Sequence, residues 1–178
     1  GTKTCSSNHN DFVNLKILES YLAFGMSSKL FRIFREKNGL TYDVGVFNPL
    51  RKTSAPFVIY LSSSPNNCLA TFNHLLNLWS QITRKLLSED ELDLAKTKLN
   101  AAIALSSQTT EEIINRKVQL IGLNMDPKLD EKFIEKISKI DSKEILETAK
   151  KYLLNPSLSI SGKESYCNQI KKIWQDRF

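Results

Sequence analysis

The sequence predicts an α+β domain: a small, mostly antiparallel sheet covered on one face by helices. Three observations predict it. Several long segments repeat apolar residues at helical spacing, with capping signals between them. Short segments rich in β-branched and aromatic residues interrupt the helical ones. With only 6 glycines and 5 prolines in 178 residues, long regular elements are favoured over a loop-rich scaffold.

Asn10-Asp11 offers an N-cap to a first helix. Phe12, Leu15, Leu18 and Leu22 share one of its faces, and it should run to about Ala23. Phe24-Gly25-Met26 breaks it. Ser27 or Ser28 caps a short second helix with Leu30, Ile33 and Phe34 inward. Asn38-Gly39 closes that helix, Gly39 suiting the left-handed position after a helix end. Residues 40–48 read as a strand, with Leu40, Tyr42, Val44 and Val46 on one face and Thr41, Asp43, Gly45 and Phe47 on the other. After a loop over 49–54, residues 57–63 form a second strand, and the two should pair as a hairpin.

Ser64-Pro65 opens a long helix that buries Leu69, Phe72, Leu76 and Trp79. Residues 88–91, S-E-D-E, are a capping box for the next helix. That helix carries Leu92, Ala95, Leu99 and Ile103 and extends to about Leu123, before Met125-Asp126-Pro127 stops it. A helix over 130–138 follows. Another starts at Asp141, with Ile145, Leu146, Ala149 and Tyr152 inward, and ends at Asn155-Pro156. Residues 158–162 read as a closing strand. Residues 1–163 form a single domain and 164–178 a tail with helical spacing through Ile170, Ile173 and Trp174. Three strands make a thin sheet for so many helices, so a further strand is expected upstream of Gly1.

Composition narrows the function. At 41% hydrophobic and 25% charged, the chain lies in the ordinary globular range, which excludes disorder. The net charge is +6, but the lysines are dispersed and sit near acidic residues. The densest basic run, Lys171, Lys172 and Arg177, has no interleaved aromatic stripe, so no nucleic-acid role is expected. Cys5, Cys68 and Cys167 are odd in number and form no C-x-x-C. They lean toward a reducing compartment such as the cytoplasm. His9 and His74 each lack a second histidine at i+4, so no metal site is expected. No run of eighteen apolar residues exists, so no membrane span is expected. The polar start is no signal peptide, and its lack of Met suggests a piece of a longer polypeptide.

Residues 22–31, L-A-F-G-M-S-S-K-L-F, lead into 35–45, R-E-K-N-G-L-T-Y-D-V-G. This block resembles the "G-G-G-M-S-S-R-L-F" and "R-E-x-x-G-L-x-Y-x-V" segments of the pitrilysin-like (M16) zinc peptidases. S-S-S-P at 62–65, L-S-x-x-E-L-x-x-A-K at 87–96 and K-K-Y-L at 150–153 follow in the family's order. The similarity covers about residues 10–163.

The resemblance implies a LuxS/M16 metallopeptidase-like domain, two of which make each half of a clamshell around an internal chamber. One half carries zinc on H-x-x-E-H, with two histidines at i, i+4 and a glutamate that activates water. No H-x-x-E-H occurs here, so this chain alone should be inactive, with no catalytic residue, metal ligand or cofactor of its own. Zinc is expected in a partner half, in the same parent chain or in a separate subunit. The chain then reads as a C-terminal, non-zinc-binding domain that shapes the chamber and holds the peptide substrate.

In the opposite half of such a clamshell an Arg and a Tyr reach the substrate, and the matching positions are Arg35 and Tyr42. A guanidinium offers a planar fork of donors to a peptide carbonyl. A phenol can donate to a carbonyl oxygen as it becomes an oxyanion. Apart from the resemblance, Arg35 reads as a helix C-terminal cation or a partner of Glu36 or Asp43, and Tyr42 as a core strand residue. Gly25 and Gly39 serve backbone turns, and Gly25 also suits a close approach near the chamber. The family's two or three glycines before the Met are replaced here by Leu22, Ala23 and Phe24 ahead of Gly25, which implies a stiffer loop. Ser27 and Ser28 have no nearby histidine and are caps, not nucleophiles. The alternative function is an inactive, M16-like structural or assembly subunit.

Overall fold

A computed structural model describes residues 1–177. In chain order the elements are β1 (Thr2–Lys3), α1 (Asp11–Ala23), a π-helical segment (Phe31–Glu36), β2 (Val44–Phe47), β3 (Pro56–Leu61), a 3-10 turn (Pro65–Asn67), α2 (Cys68–Arg84), α3 (Glu89–Leu105), α4 (Thr110–Gly122), α5 (Leu129–Lys139), α6 (Ser142–Leu153) and α7 (Glu164–Gln175). The strands form one sheet in the order β1-β3-β2, antiparallel throughout. Phe57 and Ile59 of β3 point into the core, while Tyr60 faces outward. The architecture is the α+β class read from the sequence.

α1 is the central helix. Phe12, Leu15, Ile17, Leu18 and Leu22 are all buried, and α3, α5, α6 and β2 pack around them. Each such side chain contributes about 1.5–3 kcal/mol of burial. Because α1 is enclosed on nearly all sides, its polar residues are buried too and find partners. Asn14 Nδ2 donates to Thr148 Oγ1 at 2.8 Å, and Ser20 Oγ donates to the Ala95 carbonyl at 2.8 Å. The Lys16 ammonium donates to Glu19 at 2.7 Å and to the Asn48 carbonyl at 2.6 Å. Asn10 occupies the N-cap position without a side-chain cap; its Oδ1 accepts instead from Lys136 at 3.0 Å.

Capping boxes set the later helices. Ser88 and Glu91 cap α3, Thr109 and Glu112 cap α4, and Asp141 and Glu144 cap α6, each reciprocally. The second of these corrects the expectation of one helix to Leu123. Ser106 Oγ bonds back to the Ile103 carbonyl, and Thr109 restarts a separate helix. α7 lies against α2, with Ile170 buried beside Phe72 and Leu76 and the Trp174 ring 6.4 Å from that of Phe72.

Three further differences concern strands and the second helix. The strand expected over 40–48 is confined to Val44–Phe47. The amides of Leu40 and Thr41 both donate to the Phe34 carbonyl, at 2.7 and 3.3 Å, and are not available to a ladder. The second helix is π-type, not α. The closing strand over 158–162 forms no ladder; only Ser157, just before it, exchanges backbone bonds with Gly1. β1, by contrast, pairs two polar residues that alternation does not reveal.

Candidate functional site

The π-helical segment and the turn after it form one unit. The Lys37 amide donates to the Arg32 carbonyl at 3.0 Å, the wide i→i−5 step. Asn38 Nδ2 donates to the Ile33 carbonyl at 2.6 Å. The Gly39 amide returns to the Arg35 carbonyl at 3.1 Å, with Gly39 at φ +56°. That left-handed position suits glycine. Leu30 and Phe34 anchor the unit in the core, and the Phe34 ring meets His74 of α2 edge-on at 6.4 Å. His74 is therefore an aromatic packing partner. The Thr41 hydroxyl lies between the carbonyls of Asp43 and Ser62, tying the turn to the end of β3.

On this unit Arg35 is exposed, with its guanidinium carbon 5.0 Å from the Phe31 ring centroid. Among the described residues no carboxylate pairs with it; Glu36 pairs instead with Arg32, at 3.8 Å. It does occupy the last turn of the segment, where a cation suits the helix dipole. Tyr42 is 94% exposed, which removes the reading of it as a core strand residue. The two residues flank the same closed turn.

The loop before the segment is fixed from both sides. Gly25 has φ +75° with open space around it, the Ser28 amide bonds back to its carbonyl at 3.0 Å, and Met26 is 77% exposed. Ser28 Oγ accepts from the Phe31 amide at 3.4 Å, so Ser28 acts as the cap. Lys29 and Tyr21 both donate to Glu91 Oε1, at 3.2 and 3.0 Å, which ties the loop exit to the start of α3. Burial disfavours the Glu91 carboxylate, but donors from the Ser88 amide, Tyr21 and Lys29 outweigh it and hold its pKa below the usual glutamate value. Burial first, and then the nearby Glu91 charge, push the Tyr21 phenol upward, so it stays a donor.

Neither Phe31 nor the Tyr21–Lys29–Glu91 cluster was singled out as functional by the sequence. For Phe31 a signal existed, an aromatic at i and a cation at i+4 on one helix face. For Glu91 there was none beyond its capping role, because Lys29 lies 62 residues away in the chain.

Zinc chemistry does not fit the residues of this chain. Among the described residues no group of three or more His, Cys, Asp or Glu side chains is placed to hold a metal. His9 bonds locally at the start of α1, its Nδ1 accepting from the Asp11 amide at 3.1 Å. All three cysteines are free thiols. No helix of the described residues is long and apolar enough to cross a membrane.

Residues 1–99 match the sequence profile of the peptidase M16 inactive domain. An uncharacterized zinc protease of Rickettsia felis is 32% identical over 130 residues, covering 71% of this chain and 31% of that protein. The chain thus spans about a third of the length of the curated relatives it matches. Among solved structures, a protease from Helicobacter pylori superposes with a TM-score of 0.76 at 18% identity, over 85% of this chain and 37% of that one. A peptidase M16 inactive domain from Pseudomonas fluorescens gives 0.75 at 19% identity, over 91% of this chain and 40% of that one. The last two likenesses establish the fold, and the profile establishes the lineage: this chain belongs to the peptidase M16 inactive-domain family.

Proposed function

We propose that this chain is the C-terminal, non-zinc-binding domain of a zinc peptidase, and that Arg35 and Tyr42 hold an extended peptide against a zinc site supplied by another half. That half carries H-x-x-E-H, in the same parent chain or as a separate subunit, and the present domain walls one side of the chamber. The observation that carries the reading is Arg35 itself. It is exposed and free of any carboxylate partner among the described residues, its guanidinium over the Phe31 ring, while the 94%-exposed Tyr42 stands beyond the same turn. A guanidinium so placed keeps its fork of donors free for peptide carbonyls, and a phenol in the open is placed to donate to an oxyanion.

The test is Arg35→Ala in the whole peptidase, assayed on peptide substrates. kcat/KM should fall at least tenfold, about 1.4 kcal/mol of transition-state stabilisation. An unchanged value with the fold intact would remove Arg35 from the substrate path.

A further inference from the structure

The segment that carries Arg35 changes register along its length. At its start the Arg32 amide donates to the Ser28 carbonyl at 3.0 Å, the i→i−4 step of an α-helix. At its end the Lys37 amide passes over the Ile33 carbonyl and donates to Arg32, also at 3.0 Å, one residue further back. One extra residue is therefore accommodated between these two bonds, and Arg35 lies within that stretch. Leu30 and Phe34, both buried, fix the first part of the segment against the core. A return to the α register would turn the residues after Phe34 about the helix axis, and Arg35 is the first of them.

A helix end leaves its last carbonyls without donors from its own ladder. Here the Phe34 carbonyl accepts from the Leu40 and Thr41 amides, and the Arg35 carbonyl from the Gly39 amide. The Ile33 carbonyl, which the wide step bypasses, is met by a side chain: Asn38 Nδ2 donates to it at 2.6 Å. A carbonyl only accepts, so the nitrogen of the Asn38 amide is the atom that faces it. This bond competes for the acceptor that the Lys37 amide would need in an α register. The common reason for asparagine at a helix end, tolerance of left-handed backbone, does not apply. That conformation falls on Gly39, and among the described residues Asn124 is the only non-glycine with positive φ. Asn38 is exposed, so core packing does not account for it either.

We propose that Asn38 is a positioning residue for the bound peptide: by holding the Ile33 carbonyl it keeps the segment in its wide register and so fixes the direction of Arg35. The proposal rests on the reading of Arg35 as a peptide-holding residue, and Asn38 acts through Arg35, not by contact with the peptide. Without the side-chain bond the Lys37 amide takes the Ile33 carbonyl and the segment winds into an α-helix. The guanidinium then turns away from its place 5.0 Å from the Phe31 ring centroid.

The test is Asn38→Ala in the whole peptidase with its zinc removed. This variant deletes the donor, adds no charge and favours the α register. Its crystal structure should show the Lys37 amide bonded to Ile33 in place of Arg32. The Kd of a labelled, uncleaved peptide should rise about threefold or more. Asn38→Gln, which keeps an amide donor on a longer stem, should bring Kd back to within about twofold of the original. In an Arg35→Ala background Asn38→Ala should add nothing, because the two act as one unit. An unchanged register in Asn38→Ala would overturn the proposal. So would a Kd raised alike by Asn38→Ala and Asn38→Gln, or raised as much without Arg35 as with it. If Arg35→Ala alone left Kd unchanged, the reading of Arg35 would fail; if it raised Kd and Asn38→Ala did not, the role of Asn38 would fail.

Discussion

The guanidinium of Arg35 rests on the ring of Phe31, 5.0 Å from its centroid and one helical turn away. Such a contact is worth about 0.5–1 kcal/mol at an exposed site. It orients the cation without neutralising it, unlike a carboxylate partner, so on the proposed function Phe31 would position Arg35 for the peptide. In the whole peptidase Phe31→Ala should raise KM for peptides about two- to fivefold with kcat little changed. Phe31→Tyr, which keeps the ring face, should restore the original KM.

Tyr42 offers a cleaner separation of chemistry from stability. Its side chain is 94% exposed, so Tyr42→Phe should leave the unfolding midpoint unaltered within error. Loss of one donor to a developing oxyanion should lower kcat about ten- to a hundredfold with KM nearly constant. Steady-state kinetics on a single peptide would distinguish this from a binding role, in which KM rises and kcat holds.

Gly39 sets the turn between the two. Around it lies open space, so an added methyl meets no neighbour, but φ is +56°. Gly39→Ala therefore acts through backbone strain alone, costing about 1–2 kcal/mol. Urea unfolding should show that loss. Peptide turnover should fall as well, because the strained turn carries Arg35 and Tyr42 on its two sides.

Acid should loosen the loop exit at Glu91. Its folded-state pKa is held below the unfolded value, so the carboxylate's contribution is complete above the ordinary glutamate pKa of about 4.3. That contribution is lost as pH falls through the lower, folded value. Glu91→Gln should destabilise the protein by about 1 kcal/mol at neutral pH, a modest figure because the site is partly solvent-screened. The difference from the unaltered protein should shrink toward zero as pH is lowered well below 4.3, as followed by denaturant unfolding at several pH values.

The helices were legible because their signals are local. Phe12, Leu15, Leu18 and Leu22 mark α1, and S-E-D-E and D-S-K-E mark the starts of α3 and α6. The break at 106–109 also had a readable sign, Thr109 three residues before Glu112, which the continuous helical pattern masked. The strands were read less well because pairing partners are distant. Leu40 and Thr41 alternate like strand residues, yet their amides are committed to Phe34. Residues 158–162 have a strand's composition without a partner strand beside them. At the site, the block around Arg35 and Tyr42 could be located by resemblance. The ring beneath Arg35 and the tie from Lys29 to Glu91 become visible only once the chain is folded.

The most direct measurement is peptide affinity in the whole protein with its zinc removed, so that no turnover intervenes. Binding of a labelled, uncleaved peptide would be compared between the unaltered protein and Arg35→Ala, with unfolding curves confirming that both are folded. The expected result is a Kd at least tenfold higher in the variant, about 1.4 kcal/mol of lost binding. Equal Kd values in two equally stable proteins would contradict the account, leaving the exposed Arg35 without a part in holding substrate.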